Sequence, residues 1–457
     1  MVYYLDVSSK PILKLKINLW ELNKMNPFLK SLASSLLILV SCFQGLNAQT
    51  SDEASVALIG ARLFDGTGRA PHEQSVLVIR NGRVEMVGAL GDVNIPDDAE
   101  RIDLSGKTIL PGLVNAHGHL NEDQSDRPIR TKLTEQLRLY ADYGVTTVVV
   151  LGVFSDEELV VGASLNKEQE EIDLDRARVY VAGDSLQNLG TAEEARMRVN
   201  DYANAGANLV KIHITGGPND MTPEVYGALI DQAHSRGLSV ASHLYYLEDA
   251  HGLLDAGVDV IAHSVRDQAA DNLLIEKMIQ QNVPYIPTLT RDLARFVYET
   301  RPDFLEDPFF LRRVSAYQGD IDIVTGADYQ ATSRSPQRQA DKEGLAQGNR
   351  NLKTLSDAGV LIAMGSDSGT NQGQWQGYFE HTELEMMVEA GMSTTQALVA
   401  ATSGAAAAMG LDQHVGVLQP GRWADLLILD ANPIEDIRAT REIHSVWIAG
   451  TPLSGVP

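Results

Sequence analysis

Leu113-Val-Asn-Ala-His117-Gly-His119-Leu120 is a short apolar run that ends in two histidines spaced two residues apart. Residues i and i+2 of a β-strand project from one face, so both imidazoles point the same way. Two neutral imidazoles so placed can share one metal ion. Such a pair is equally ordinary as a structural feature of a strand end. Its meaning depends on what the rest of the chain supplies.

Outward from this stretch, strand-like runs recur at 146–151, 178–182, 209–214, 238–243, 258–263, 285–289 and 361–366. Most are separated by amphipathic helical stretches, such as 133–143, 223–236 and 272–281. With the His117 run this makes eight strand candidates in a β-then-α rhythm, the pattern of a closed (β/α)8 TIM barrel. An open doubly wound sheet is the alternative, but no Gly-rich dinucleotide loop follows the first strand. Residues 57–110 read as short strands joined by tight turns, with Asn81-Gly82 supplying a hairpin turn between 76–80 and 83–87. Strand-like runs return at 421–429 and 443–448. The expected organisation is an upstream segment and signal peptide (1–48), a first part of a small β-sandwich (49–112), the barrel (113–412) and a second sandwich part (413–457).

Across 457 residues, 61 Asp and Glu against 37 Lys and Arg leave a formal charge of −24. A surface this acidic excludes nucleic acid, whose phosphates need a basic partner, and disfavours electrostatic attachment to anionic lipid. The 44% hydrophobic content is that of a globular chain. A single cysteine, Cys42, excludes an intrachain disulfide.

From Met25, an alternative start, Lys30 is followed by an apolar stretch at 32–40 broken only by Ser34 and Ser35. That core is too short for a membrane span and reads as an export signal. Leu39-Val40-Ser41-Cys42 resembles a lipobox, which would make Cys42 a lipidated anchor to the bacterial envelope. Leu46-Asn47-Ala48 suits ordinary cleavage, which would leave the protein periplasmic. Both readings stand, and self-association into a homo-oligomer is also left open.

Several strand candidates end in a residue able to bind metal: His117 and His119 on the first, Lys211 on the fourth, His243 on the fifth, His263 on the sixth and Asp367 on the eighth. In such a barrel the C-terminal strand ends converge on one mouth. Histidines supply neutral nitrogen ligands, and Asp367 can both ligate and accept a proton from an attacking water. Lys211 is the odd member, because an ammonium facing cations would be repelled. Carboxylation by carbon dioxide would turn it into a two-oxygen bridge. The alternative is an ordinary buried lysine paired with Asp367.

The chain after the signal resembles the amidohydrolase superfamily, in its prolidase-like and imidazolonepropionase-related branch. The resemblance rests on Gly106-Lys-Thr-Ile-Leu-Pro-Gly-Leu-Val-Asn-Ala-His-Gly-His119, Leu209-Val-Lys211 with Thr215-Gly-Gly217, Ala256-Gly-Val-Asp-Val-Ile-Ala-His263, Gly365-Ser-Asp-Ser-Gly369 and Gly416-Val-Leu-Gln-Pro-Gly-Arg-Trp-Ala-Asp425. It implies two divalent ions, zinc by preference, with His117, His119 and Asp367 on one, His243 and His263 on the other, and carboxylated Lys211 between them. The branch often carries Asp where Asn115 stands, and a second histidine where this chain has Tyr245.

The expected activity is hydrolysis of an amide-type C–N bond in a dipeptide, N-acyl amino acid or cyclic amide by a metal-bridging hydroxide, with Asp367 as the proton carrier. His213 and Tyr245 each lie two residues beyond a ligand position and are candidate substrate contacts. Arg266, Arg291 and Arg295 could grip a substrate carboxylate, although solvated arginines are the commoner case. His381 is expected to cap and pack. Residues 290–351 form either a lid or substrate pocket, or a helical excursion that packs its aromatics against the barrel. The competing functions are a mononuclear deaminase or imidazolone-type hydrolase, and a non-catalytic binding protein on the same scaffold.

Overall fold

A computed structural model of the chain describes residues 55–121 and 125–455. Cys42 and the export segment lie outside the described residues. Among those described, no helix is long and apolar enough to cross a membrane.

Two small sheets flank the first barrel strand in sequence. One has the order β4-β3-β1-β5, from β1 (Val56–Ile59), β3 (Ser75–Arg80), β4 (Arg83–Ala89) and β5 (Glu100–Asp103). Asn81 and Gly82 turn the β3–β4 hairpin with φ of 51° and 72°, the paired positive angles of a type I′ turn. The second sheet joins the two ends of the chain: β2 (Arg62–Leu63) and β6 (Thr108–Pro111) with β14 (Leu426–Leu429), β15 (Ile443–Ile448) and β16 (Thr451–Pro452). Strand alternation puts Leu58, Leu77 and Ile79 of one sheet against Ile109, Leu426 and Ile428 of the other in one buried core.

Between these ends lies the barrel. Strands β7 (Leu113–Gly118), β8 (Val145–Val150) and β9 (Arg178–Val181) pair in parallel. So do β10 (Leu209–His213), β11 (Ser239–His243), β12 (Val260–Ala262) and β13 (Tyr285–Ile286). Parallel bridges Ala182–Leu209 and Leu186–Ile212 link the two groups. The ring closes through residues 361–367: Ile362 bridges Tyr285, the Ala116 N–H donates to the Met364 carbonyl (2.9 Å), and the Asp367 N–H donates to the His117 carbonyl (2.7 Å).

The last two staves depart from the expected strands at 285–289 and 361–366, which are longer than the ladders formed. Pro287 has no N–H to donate, and Thr288 turns left-handed at φ 48°. In the eighth stave Met364 gives its N–H to the Ala400 carbonyl instead of a strand neighbour. At Gly365 a Cβ would lie 2.5 Å from Ile286 and 2.7 Å from His117 Cβ. Only glycine lets this stave approach the two beside it.

Helices α1 (Ile129–Asp142), α2 (Asp156–Glu168), α3 (Ala192–Ala205), α4 (Pro223–Ser235), α5 (Leu247–Asp255) and α6 (Asn272–Gln281) cover the outside. Caps fix their ends. Asp271 accepts the Leu274 N–H at the start of α6, and Asn282 ends it at φ 54°. The segment after β13 is a helical excursion whose aromatic residues pack inward: Tyr298, Phe310 and Tyr317 form one buried cluster with Tyr143, Trp375 and Tyr378.

Barrel and sandwich are fastened by an ion pair. Arg178 on β9 grips Asp425 with Nε–Oδ2 at 2.6 Å and Nη2–Oδ1 at 3.1 Å, and both side chains are nearly inaccessible. Arg178 also donates to the Gln169 carbonyl and lies over the Trp423 ring at 4.2 Å, while Asp425 accepts the Ala449 N–H at 2.8 Å. Removing one partner of a buried pair strands the other charge. Asp425→Ala is therefore expected to cost about 3–5 kcal/mol in denaturant unfolding, and Arg178→Met/Asp425→Leu distinctly less. Equal losses in both variants would contradict this account.

Candidate active site

At the C-terminal mouth of the barrel, His117 Nε2 and His119 Nε2 converge on Asp367 Oδ1 at 3.1 and 3.0 Å. Among the described residues this trio alone places three metal-type ligand atoms within 4.8 Å of one another. Burial, together with nearby Lys211, pushes the His117 imidazole down to about 3, so it is neutral and able to ligate. Burial alone would raise the Asp367 carboxyl, but His117 and His119 outweigh it and hold it well below the usual carboxylate range. The second nitrogen of His119 meets the Gly152 carbonyl at 3.0 Å, leaving Nε2 as the ligating atom.

The remaining expected residues lie beside the trio. His263 is 4.7 Å from His117 between ring centroids and 4.3 Å from His243, and its Nδ1 meets Thr288 Oγ1 at 2.7 Å. His213 and His243 sit opposite each other in the β10–β11 register, and their rings stack at 3.7 Å. Lys211 Nζ is buried and has no hydrogen-bond partner among the described residues. Desolvation lowers its pKa to about 7. An unpartnered ammonium in such a place is costly, so the lysine is suited to being uncharged or modified.

His263 and Asp367 adopt φ of 71° and 57°, a region that costs a residue with a side chain about 1–3 kcal/mol. These strained turns sit where the staves end. The turn at Asp367 is flanked by a buried network behind the site. Asn115 Oδ1 accepts the His117 N–H at 2.9 Å, and its Nδ2 donates to Glu380 Oε1 at 2.6 Å. The same oxygen accepts Ser366 Oγ at 2.7 Å and Ser368 Oγ at 2.6 Å. Tyr140 adds bonds to the His119 carbonyl and to Ser368. Asn115 thus marks a position where an amide, able to donate, faces a carboxylate.

The site opens into a cavity of about 480 Å³ lined by all six expected ligand residues and by His213. Tyr245 lines an adjoining pocket that shares His243, Arg291 and Arg295 with the main cavity, under the Arg266 guanidinium at 4.8 Å. A side chain two residues past the strand end has left the strand's alternation.

Arg266 is 5% exposed and bonds Asp292 at 2.5 Å, while Arg291 and Arg295, half-buried, line the main cavity. Arg338, tens of residues away in sequence, joins them and had no motif to announce it. His381 lies away from the cavity, held by Thr440 and the Tyr143 carbonyl. The excursion does both jobs set out for it: its aromatics pack, and its polar residues Tyr329, Thr332 and Arg338 form a cavity wall.

Two imidazoles and a carboxylate converging at the mouth of a parallel barrel define a metal-binding hydrolase site. The chain belongs to the amidohydrolase family, whose family model matches residues 108–453. It is an enzyme of that family's kind, a hydrolase of C–N bonds. A solved structure of a candidate prolidase from Bifidobacterium longum is similar, with TM-score 0.71 and 27% identity over 88% of this chain and 95% of that one. An imidazolonepropionase from Salinispora tropica is 24% identical over 84% of this chain and 93% of its own length. An ochratoxinase from Aspergillus niger is 23% identical over 89% and 88%.

Replacing Asn115 by Asp sets one carboxylate against another at the 2.6 Å contact with Glu380. Asn115→Asp should lose about 2–4 kcal/mol of stability, and Glu380→Gln in the same chain should restore most of it, both read by thermal unfolding. Independent, additive losses would show that the two side chains do not act as a pair.

Proposed function

We propose that the protein hydrolyses an amide-type C–N bond of a small substrate, a dipeptide, N-acyl amino acid or cyclic amide, at a pair of divalent ions, with zinc the best fit to the nitrogen-rich donor set. The observation that carries this reading is Lys211 Nζ, buried and without a hydrogen-bond partner among the described residues, in the wall of the cavity lined by His117, His119, His243, His263 and Asp367. His117, His119 and Asp367 would hold one ion, His243 and His263 the other, and Lys211 as its carbamate would span them. Bound divalent ions would make water nucleophilic near neutral pH and polarise the scissile carbonyl.

The protein's own groups then have distinct tasks. Asp367 Oδ2, the oxygen not held by the two histidines, lies 3.4 Å from Arg291 Nε and would take the proton of the attacking water and return it to the leaving nitrogen. His213, stacked on His243 at the cavity wall, can donate to the oxygen that becomes negative. The names of the similar proteins, a prolidase, an imidazolonepropionase and an ochratoxinase, support a C–N bond of this kind. Residues 25–48 support a reading in which the enzyme is exported, periplasmic or lipid-anchored through Cys42.

A mononuclear hydrolase of the imidazolone type is the second reading, favoured by the single three-ligand cluster. Metal analysis separates the two: about two equivalents are expected, and one equivalent overturns the paired site. Chelation should abolish activity and zinc restore it. Lys211→Ala should leave about one equivalent and lower kcat by more than about 10²-fold, with formate, acetate or bicarbonate restoring part of the loss.

A further inference from the structure

The cavity wall contradicts the charge of the molecule around it. The protein carries −24, yet Arg291, Arg295, Arg338 and Lys211 line the cavity, and among the described residues its only lining carboxylate is Asp367. That carboxylate is already engaged by His117 and His119.

Beyond Asp367, which reaches Arg291 Nε at 3.4 Å, the counter-charges are two, and both are shared. Asp292 serves Arg266 at 2.5 Å and Arg291 at 2.8 Å. Asp341 serves Arg295 at 2.6 Å but reaches Arg338 only at 3.8 Å. Four guanidiniums thus share three carboxylates, Asp367 among them, leaving one positive charge in excess. Among the described residues Arg338 is the least satisfied: only Asp341 pairs with it, and that pair is the longer of Asp341's two. Burial and the neighbouring Arg295 both press its pKa down, the mark of a cation whose surroundings leave it incompletely compensated.

The excess is arranged in depth. Arg291 stands beside Asp367 at the chemistry, whereas Arg295 and Arg338 stand farther along the chain's excursion with Tyr329 and Thr332. Guanidiniums present a planar fork that matches a carboxylate, and a partly enclosed cavity keeps that interaction from being screened.

We propose that Arg295 and Arg338 form a second anionic subsite, which selects substrates whose amide belongs to an acidic amino acid, an N-acyl or aminoacyl derivative of glutamate or aspartate. The substrate's first carboxylate, next to the scissile nitrogen, faces Arg291. Its side-chain carboxylate reaches the Arg295–Arg338 pair and completes the charge balance there. This rests on the amide-hydrolase reading given above.

The test is calorimetric titration of the metal-loaded enzyme with L-glutamate and with L-glutamine, ligands of equal size that differ by one charge. Glutamate is expected to bind about tenfold or more tightly, as a charged hydrogen bond to a guanidinium predicts. Arg338→Gln should remove most of that preference, and Arg338→Lys should keep part of it. Equal binding of the two ligands, undetectable binding of glutamate, or an Arg338→Gln variant with unchanged preference each overturns the subsite. Hydrolysis of N-acetyl-glutamate against N-acetyl-glutamine is run in parallel. A glutamate preference in binding with neither amide cleaved upholds the subsite and counts against the hydrolase reading. Cleavage of both at equal kcat/KM with equal binding does the reverse.

Discussion

One buried oxygen, Glu380 Oε1, holds the first and last staves of the barrel in a single register. It accepts hydrogen bonds from Asn115 on the first stave and from Ser366 and Ser368 on the eighth. Charge-assisted bonds of this kind are the strong ones in a protein interior. His117 and Asp367 sit one residue or two from these donors, so their separation follows from the network behind them. The left-handed backbone at Asp367 is tolerable because the residues on both sides are bound to the same carboxylate. Burial pushes the Glu380 carboxyl up, and the serine hydroxyls oppose that shift. Closing the ring and placing the ligands are therefore one event.

The same economy of charge shapes the mouth. His117 is buried and neutral, Lys211 has no hydrogen-bond partner among the described residues, and the guanidiniums outnumber their carboxylates. A site of this composition does not complete its own electrostatics. Groups from outside the chain, cations on the histidine side and anions on the arginine side, fit the places where the protein leaves charge or lone pairs uncompensated.

Much of this was legible in the amino-acid order, and the reasons are specific. Barrel strands buried on both faces read as continuous apolar runs, and the residue types at their ends carry chemistry even without coordinates. Asn81-Gly82 fixed its hairpin because few dipeptides accept two positive φ angles. Of the arginine wall, Arg291 and Arg295 were candidates but Arg338 was not legible, since it reaches the cavity from a helix (Pro336–Asp357) whose placement no local pattern encodes. Nor was Glu380, which lies 265 residues from the amide it binds. The short last staves escaped for a local reason: Pro287 and the left-handed Thr288 end a ladder that hydrophobicity alone would continue.

The pairing of β6 with β14 has a consequence for how the chain reaches this state. Thr108 meets Leu429 and Pro111 meets Leu426, so a sheet begun near the start of the molecule waits for a partner made almost at its end. During synthesis the barrel segment emerges first, while Ile109 and Leu110 still present an unpaired edge. Contacts of such sequence separation form slowly. The sandwich is thus a late latch on an assembled barrel, and loss of the last strands would leave the first ones exposed and prone to aggregate.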